Sequence, residues 1–233
     1  MKRRKNNQEV PIYNLVPDNP TGTKDFKIYN LNGSCPNRSE LLIPHRKDHY
    51  LIAFVRCAGN RQWIDMTPYT LKENTIYFTG PGHVIVKEGL GQIWSTAIAF
   101  TEKFLSFQQN SALSRLPILV NAQNRHELLL SASDVQFVED ILSKIIIEYD
   151  APGPWHIPML TAYITVFLTY LSRLYTEQFK EEETSAERLL LKSFQAKIDA
   201  SFREIHEVIE YASQLHISAG HLSEVVKIQS GKS

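Results

Sequence analysis

Short apolar runs separated by turn residues fill the chain between Phe26 and Thr101. Their β-branched and aromatic residues are typical of strands. The runs read FKIY, LLI, YLIAFVRC, RQWID, TIYFT, HVIVK and IWSTAIAF. Many short strands at close spacing indicate a small sandwich or barrel. We therefore predict a small β-barrel, with a hairpin turn at Gly59-Asn60 and further turns at 71–74 and 80–82.

Two long helices are predicted after the barrel. Apolar residues recur in steps of three and four over 134–149 and again over 158–178, which is the spacing of one helix face. Pro152-Gly153-Pro154 breaks the pattern between them. Two such helices around a tight break predict an antiparallel hairpin. A short helix capped by Thr101 is expected to precede it.

The last stretch, 208–233, predicts two short helices joined by a turn at His216-Ile217. Ser218 is a suitable N-cap for the second helix, and Ile217 and Leu222 have the spacing of a hydrophobic staple. A second helix with a small, polar N-terminal face has the shape that enters the DNA major groove. An amphipathic helix over 187–202 is expected to pack behind the pair. By spacing alone, an ordinary helical hairpin remains the other interpretation.

The sequence motifs of these segments resemble those of one protein family. YAxxLxIS at 211–218, HLSxxVK at 221–227 and GKS at 231–233 closely resemble the first helix-turn-helix of AraC-type bacterial transcription regulators. PHRKDHY, LKENTIYFTGPGHV and IAFTEKFL resemble the cupin-like sensor domain of the same family. The resemblance implies an α+β fold: a small cupin-like β-barrel, an antiparallel helical hairpin, and a partial helix-turn-helix DNA-binding domain.

The resemblance also implies a domain order. An N-terminal arm, an effector-binding barrel, a hairpin for dimerisation, a linker and the first half of the DNA-binding domain are expected in turn. Their ranges are 1–25, 26–107, 108–178, 179–186 and 187–233.

By resemblance, the start of the last helix carries the DNA contacts, with Lys227 nearer the backbone. These residues are Ser218, Ala219, Gly220, Ser223, Glu224 and Lys227. Glu187 to Ser233 contains six Lys or Arg and six Asp or Glu, so weak direct readout is expected. AraC-type domains carry two helix-turn-helix units, and this sequence stops where the second would begin. The chain is therefore expected to keep effector binding and dimerisation and to bind DNA poorly.

The predicted effector contacts lie in the barrel: His45, Tyr50, Tyr77, His83 and Trp94. Each has an alternative interpretation as an ordinary barrel residue. Enzymatic cupins hold a metal with an HxH motif and a later His. Here Lys47 and Ile85 occupy two of those positions, and a lysine cation repels a divalent ion. We therefore predict no metal, no cofactor and no enzymatic activity.

A homodimer is the expected assembly. The second hairpin helix carries apolar residues on more than one face, and the resemblance implies dimerisation through it. The predicted interface residues are Leu160, Ile164, Phe167, Leu171 and Leu174. The other interpretation is internal packing.

Composition narrows the functional classes. Lys plus Arg equals Asp plus Glu at 25 each, which argues against a non-specific nucleic-acid coat. Cys35 and Cys57 are far apart, no signal peptide is evident, and the apolar stretch 157–172 falls short of the ~20 residues of a membrane span. A cytoplasmic, ligand-responsive regulator that binds double-stranded promoter DNA is predicted, without membrane association. The alternatives are a metal-dependent cupin enzyme with a helical tail, or a truncated partner that only dimerises.

Overall fold

The computed structural model describes residues 10–16, 24–33, 42–57, 59–89, 91–106, 113–121, 124–151, 153–180, 186–201 and 204–230. The chain divides into two compact units, residues 1–175 and 176–233. Each unit is described by itself. The α+β fold predicted from the sequence, strands first and helices after, is confirmed.

An antiparallel five-stranded sheet forms the larger wall of the first unit, in the order β10-β7-β4-β9-β2. Its strands are β2 Phe26–Asn32, β4 Tyr50–Cys57, β7 Thr75–Thr79, β9 Trp94–Phe100 and β10 Glu127–Leu129. All but β10 coincide with predicted apolar runs. The predicted run LLI is not a strand at its two described residues, Leu42 and Ile43.

A three-stranded sheet faces the first, in the order β6-β5-β8. Its strands are β5 Arg61–Ile64, β6 Thr67–Thr70 and β8 Ile85–Lys87. The hairpin predicted at Gly59-Asn60 is wrong, because this segment crosses from β4 in one sheet to β5 in the other. The two-residue hairpin turn is instead at Asp65-Met66, where both residues have positive φ, 45° and 70°, as a type I′ turn requires.

Part of the predicted arm belongs to the folded unit. Strand β1, Ile12–Tyr13, pairs in parallel with β3, Arg46–Lys47. Leu15 is buried, and the Lys27 Nζ donates to the carbonyl of Val16 at 2.9 Å. The predicted arm therefore includes one short strand, at Ile12–Tyr13.

The two faces of the five-stranded sheet have different partners because side chains alternate along a strand. Phe26, Phe78 and Phe100 lie on one face and contact aromatic residues of the helices. The opposite face includes Tyr77 and Val55, which join Leu71 and Ile93 in a cluster between the sheets, with Tyr69 packed against it. The result is a barrel with helices against one outer side.

The helices of the first unit are α1 Glu102–Ser106, α2 Pro117–Val120, α3 Ala132–Asp150 and α4 His156–Gln178. Thr101 caps α1 as predicted, accepting from the Phe104 N–H at 3.3 Å. Near the start of α3, Phe137 stacks on Tyr170 near the end of α4, with ring centroids 3.9 Å apart. The predicted antiparallel hairpin is therefore confirmed.

Helix α4 is long and apolar enough, by length and composition alone, to cross a membrane. It has 23 residues and extends beyond the apolar stretch 157–172. One face is buried, since Tyr175 packs edge-on against Phe78 and bonds Asn121 Oδ1 at 2.9 Å. Burial of this face fits internal packing, one of the two interpretations of the sequence.

The second unit contains α5 Ala186–Ser201, α6 Val208–Gln214 and α7 Ala219–Ser230. Tyr211, Ala212 and Leu222 form its buried centre. Phe194 and Ile198 of α5 pack against this centre, as predicted. Residues 181–185 of the predicted linker lie outside the described residues.

Candidate functional sites

Helices α6 and α7 form a compact helix-turn-helix. His216 lies in the turn with φ 56°, and the Ile217 N–H donates to the Ala212 carbonyl at 3.1 Å. The hydroxyl of Ser218 accepts from the His221 N–H at 3.2 Å, which caps α7 as predicted. Leu222 is fully buried, so the turn and the start of α7 are held against α6.

The predicted DNA contacts lie on the accessible side of α7. Ala219 is half-buried and the other five are exposed. The Ser223 hydroxyl donates to the Ala219 carbonyl at 2.8 Å, within its own helix. Lys227 is the only cation among these six residues.

The five predicted effector residues belong to or adjoin both sheets of the barrel. Among the described residues, no hydrogen bond or ring contact joins any two of the five. Tyr50 stacks on Phe100 at 5.3 Å and therefore lies on the face that carries the helix contacts. Trp94 is 39% exposed and covers Gly33, where an added Cβ would lie 2.8 Å from the indole.

Tyr77 is a structural residue of the barrel. Its hydroxyl accepts from the Lys72 N–H at 2.9 Å and lies 3.0 Å from both the Thr70 carbonyl and Glu127 Oε2. Burial raises the pKa of Tyr77, so the phenol stays protonated. Its hydrogen-bonding capacity is used within the chain, which leaves little for a ligand.

Desolvation lowers the pKa of both His45 and Lys47. The His45 Nδ1 bonds the Ile43 carbonyl at 3.0 Å, and its Nε2 is buried without a hydrogen bond. Thr79 Oγ1 is a second such atom. Burial lowers the pKa of Lys47 to about 7, and the charge of Lys87 adds to the effect. Within the described residues, no carboxylate pairs with Lys47.

Asp65, His83 and His126 form a cluster where the two sheets meet. Their ligand atoms all lie within 4.8 Å of one another. Asp65 occupies the β5–β6 turn and His83 precedes β8, so both belong to the smaller sheet. His126 precedes β10 at the edge of the larger sheet. Of these three residues, only His83 is among the predicted effector contacts.

Hydrogen bonds hold each member of the cluster in place. Asp65 accepts from the Val84 N–H at 2.9 Å and lies 2.5 Å from the His83 Nδ1. Burial would raise the pKa of Asp65, but the bonds from His83 and Val84 outweigh it and lower the pKa. The His126 Nδ1 lies 2.9 Å from the Phe78 carbonyl. Burial lowers the pKa of His126 to about 4, so this imidazole is neutral at physiological pH.

The predicted dimer residues are already covered within the chain. Leu160, Ile164, Phe167 and Leu171 are each no more than 2% exposed, and Leu174 is half-buried. A side chain buried in its own chain presents no surface to a partner. The prediction that these four form the subunit interface is therefore wrong, and internal packing accounts for them.

Several solved structures share a loose similarity of architecture with this chain. Fatty-acid-bound ToxT from Vibrio cholerae is 10% identical with a TM-score of 0.32, covering 88% of this chain and 70% of ToxT. An apo ToxT variant is 14% identical with a TM-score of 0.36, covering 89% and 94%. The AraC-like activator CuxR is 10% identical with a TM-score of 0.34, covering 77% and 61%. No protein-family model and no curated protein matches the chain.

Proposed function

We propose that the chain is a ligand-responsive, sequence-specific DNA-binding transcription regulator of AraC type and not an enzyme. The observation that carries the proposal is the helix-turn-helix of the second unit. Its turn is held by the Ile217–Ala212 bond, α7 is capped by Ser218, and the polar start of α7 is exposed. This is the arrangement in which the N-terminal residues of a second helix reach base edges.

The exposed residues of α7 set the kind of recognition. Ser223 serves more than one base, Glu224 accepts from a cytosine amino group, and Lys227 contacts phosphate. With equal numbers of acidic and basic residues from Glu187 onward, the non-specific contribution of phosphate contacts is small. We therefore expect α7 to discriminate between DNA sequences and a single copy of the chain to bind DNA weakly.

The barrel is the proposed effector site, as part of the same function. Support comes from His45 Nε2 and Thr79 Oγ1, which are buried without partners, and from Lys47, which has no carboxylate partner within the described residues. Buried polar groups are costly unless satisfied. A small molecule with acceptor oxygens would accept hydrogen bonds from the Lys47 ammonium group. Effector binding is coupled to DNA affinity only if the effector favours one conformation of the protein over another.

A cytoplasmic homodimer remains the proposed assembly, with a different surface from the one predicted. Ile147 on α3 and Met159 and Val166 on α4 are exposed apolar residues, at 67%, 42% and 47%. We assign the subunit contact to the surface formed by these three residues.

Val166→Asp is expected to halve the mass measured by light scattering without unfolding the chain, whereas an unchanged mass would exclude Val166 from the contact.

Selection from a random double-stranded DNA library tests the DNA-binding function. The wild-type chain is expected to enrich one sequence motif. The variant Ser223→Glu/Lys227→Glu adds negative charge to α7, where phosphate repels it, and is expected to enrich none. Ser213→Glu is the matched control, since Ser213 is exposed on α6. Equal enrichment by all three chains, or by none, would contradict the proposal.

A further inference from the structure

We propose that Asp65, His83 and His126 bind a divalent transition-metal ion of the Zn²⁺ class at the junction of the two sheets. The proposal goes beyond the regulator function and does not depend on it. It rests on the geometry of the three side chains and on the bonds that orient them.

The ligand set fits this class of ion. Two imidazoles and one carboxylate suit zinc, iron, cobalt or nickel, whereas calcium and magnesium prefer oxygen ligands alone. The three ligand atoms lie within 4.8 Å of one another, so modest side-chain movements bring them around one ion. Three protein ligands leave a coordination position for water or another molecule.

His126 is oriented as a metal ligand. Its Nδ1 donates to the Phe78 carbonyl at 2.9 Å, which leaves the lone pair on Nε2. A metal-bound histidine usually donates its other ring N–H to a carbonyl or carboxylate, because this fixes the ring and its tautomer. His126 is 2% exposed, so its ring is also held by packing. Its centroid lies 4.8 Å from that of His83, with the rings perpendicular.

A hydrogen bond joins Asp65 and His83, and the ion takes the place of its proton. The Asp65 Oδ2 and His83 Nδ1 lie 2.5 Å apart. Bonds of about 2.0–2.2 Å at a tetrahedral ion place two ligand atoms about 3.4 Å apart, so this pair opens by about 1 Å. For a neutral His83 the Nδ1 proton moves, through solvent, to Nε2, and the freed Nδ1 lone pair binds the ion. Asp65 keeps its Oδ1 bond to the Val84 N–H during this change.

The same chain supplies a comparison pair. Asp48 and His49 also form a short contact, 2.7 Å between Oδ1 and Nδ1, with no third ligand identified there among the described residues. Both pairs combine an aspartate with a histidine, but in the described part of the chain only the Asp65 pair belongs to a cluster with a second imidazole. An ion that needs all three ligands therefore distinguishes the two sites.

The test is titration of the metal-free full chain with Co²⁺, read by its visible absorption, and with Zn²⁺, read by calorimetry. One ion per chain with the bands of a site containing nitrogen ligands is expected. His126→Gln and Asp65→Asn are each expected to weaken binding at least about 100-fold, beyond the range for loss of an outer-shell partner. His49→Gln is expected to leave the affinity unchanged.

The result that overturns the proposal is the absence of saturable binding to the wild-type chain. Equal loss of affinity in His49→Gln would also overturn it, because the ion would then not be specific to this cluster. Circular dichroism checks the folding of each variant. Should His126→Gln fail to fold, Asp65→Asn decides the outcome, since an amide oxygen still accepts from the Val84 N–H.

Discussion

At the scale of single residues, Lys47 is the clearest case of a side chain in an unfavourable environment. Burial lowers its pKa to about 7 from 10.5, so the protonated form is disfavoured in the folded chain. Between these two pKa values the unfolded chain binds more protons than the folded chain. The free energy of unfolding therefore rises with pH across this window, and the penalty is complete below about pH 7.

Lys47→Met is expected to raise the free energy of unfolding most at low pH, because it removes the buried charge. The gain should be larger at about pH 6 than at about pH 9, as measured by urea denaturation. Lys24→Met is the control, since Lys24 is exposed. An equal gain at both pH values would show that the Lys47 charge carries no penalty.

Tyr77→Phe tests the internal role of a residue first predicted to contact the effector. Removal of the hydroxyl breaks its bonds with the Lys72 N–H, the Thr70 carbonyl and Glu127 Oε2, and loss of a typical hydrogen bond costs about 0.5–1.5 kcal/mol. Thermal and urea unfolding should show this loss. Unchanged stability would mean that the hydroxyl is free to serve a ligand.

At the scale of elements, the cap of α7 holds the proposed DNA-reading helix. Ser218→Ala removes the bond from the His221 N–H and is expected to destabilise α7 by about 1 kcal/mol. Ser223→Ala is the control, because its hydroxyl bonds only a carbonyl of its own helix. Hydrogen exchange of the first-turn amides of α7 measures the difference, and equal protection in both variants would contradict it.

Replacing side chains by alanine on the buried and exposed sides of α4 should change the free energy of unfolding by different amounts. Phe167→Ala is expected to lower the free energy of unfolding by about 3–5 kcal/mol, because it leaves a cavity in the core. Val166→Ala, at a position 47% exposed, should cost far less. Similar losses in urea denaturation would contradict the assignment of Phe167 to the interior.

At the scale of the whole molecule, local patterns predicted the elements better than the contacts between them. The strands, the hairpin and the Ser218 cap follow from alternation, helical spacing and capping chemistry within short windows. The Asp65-Met66 turn lacks the usual Asn-Gly or Asp-Gly signature of a two-residue hairpin. Gly59-Asn60 contains residue types that favour such a turn, but it connects a strand of one sheet to a strand of the other.

Long-range pairing explains what the sequence did not predict. Asp65 and His126 are 61 positions apart in the sequence and meet only because β7 pairs with β10 where the smaller sheet closes the barrel. Similarly, the spacing of Leu160, Ile164, Phe167 and Leu171 showed an apolar stripe but not whether its own barrel or a partner covers it. Local spacing carries no information on that choice.

The most direct test of the regulator function compares the affinity of the chain for a selected duplex and for a scrambled duplex of equal length and composition. Fluorescence anisotropy at one fixed salt concentration measures both. We predict a preference of at least about tenfold, or 1.4 kcal/mol, that disappears in Ser223→Glu/Lys227→Glu and persists in Ser213→Glu. Equal affinity of the wild-type chain for the two duplexes would contradict sequence-specific recognition by α7.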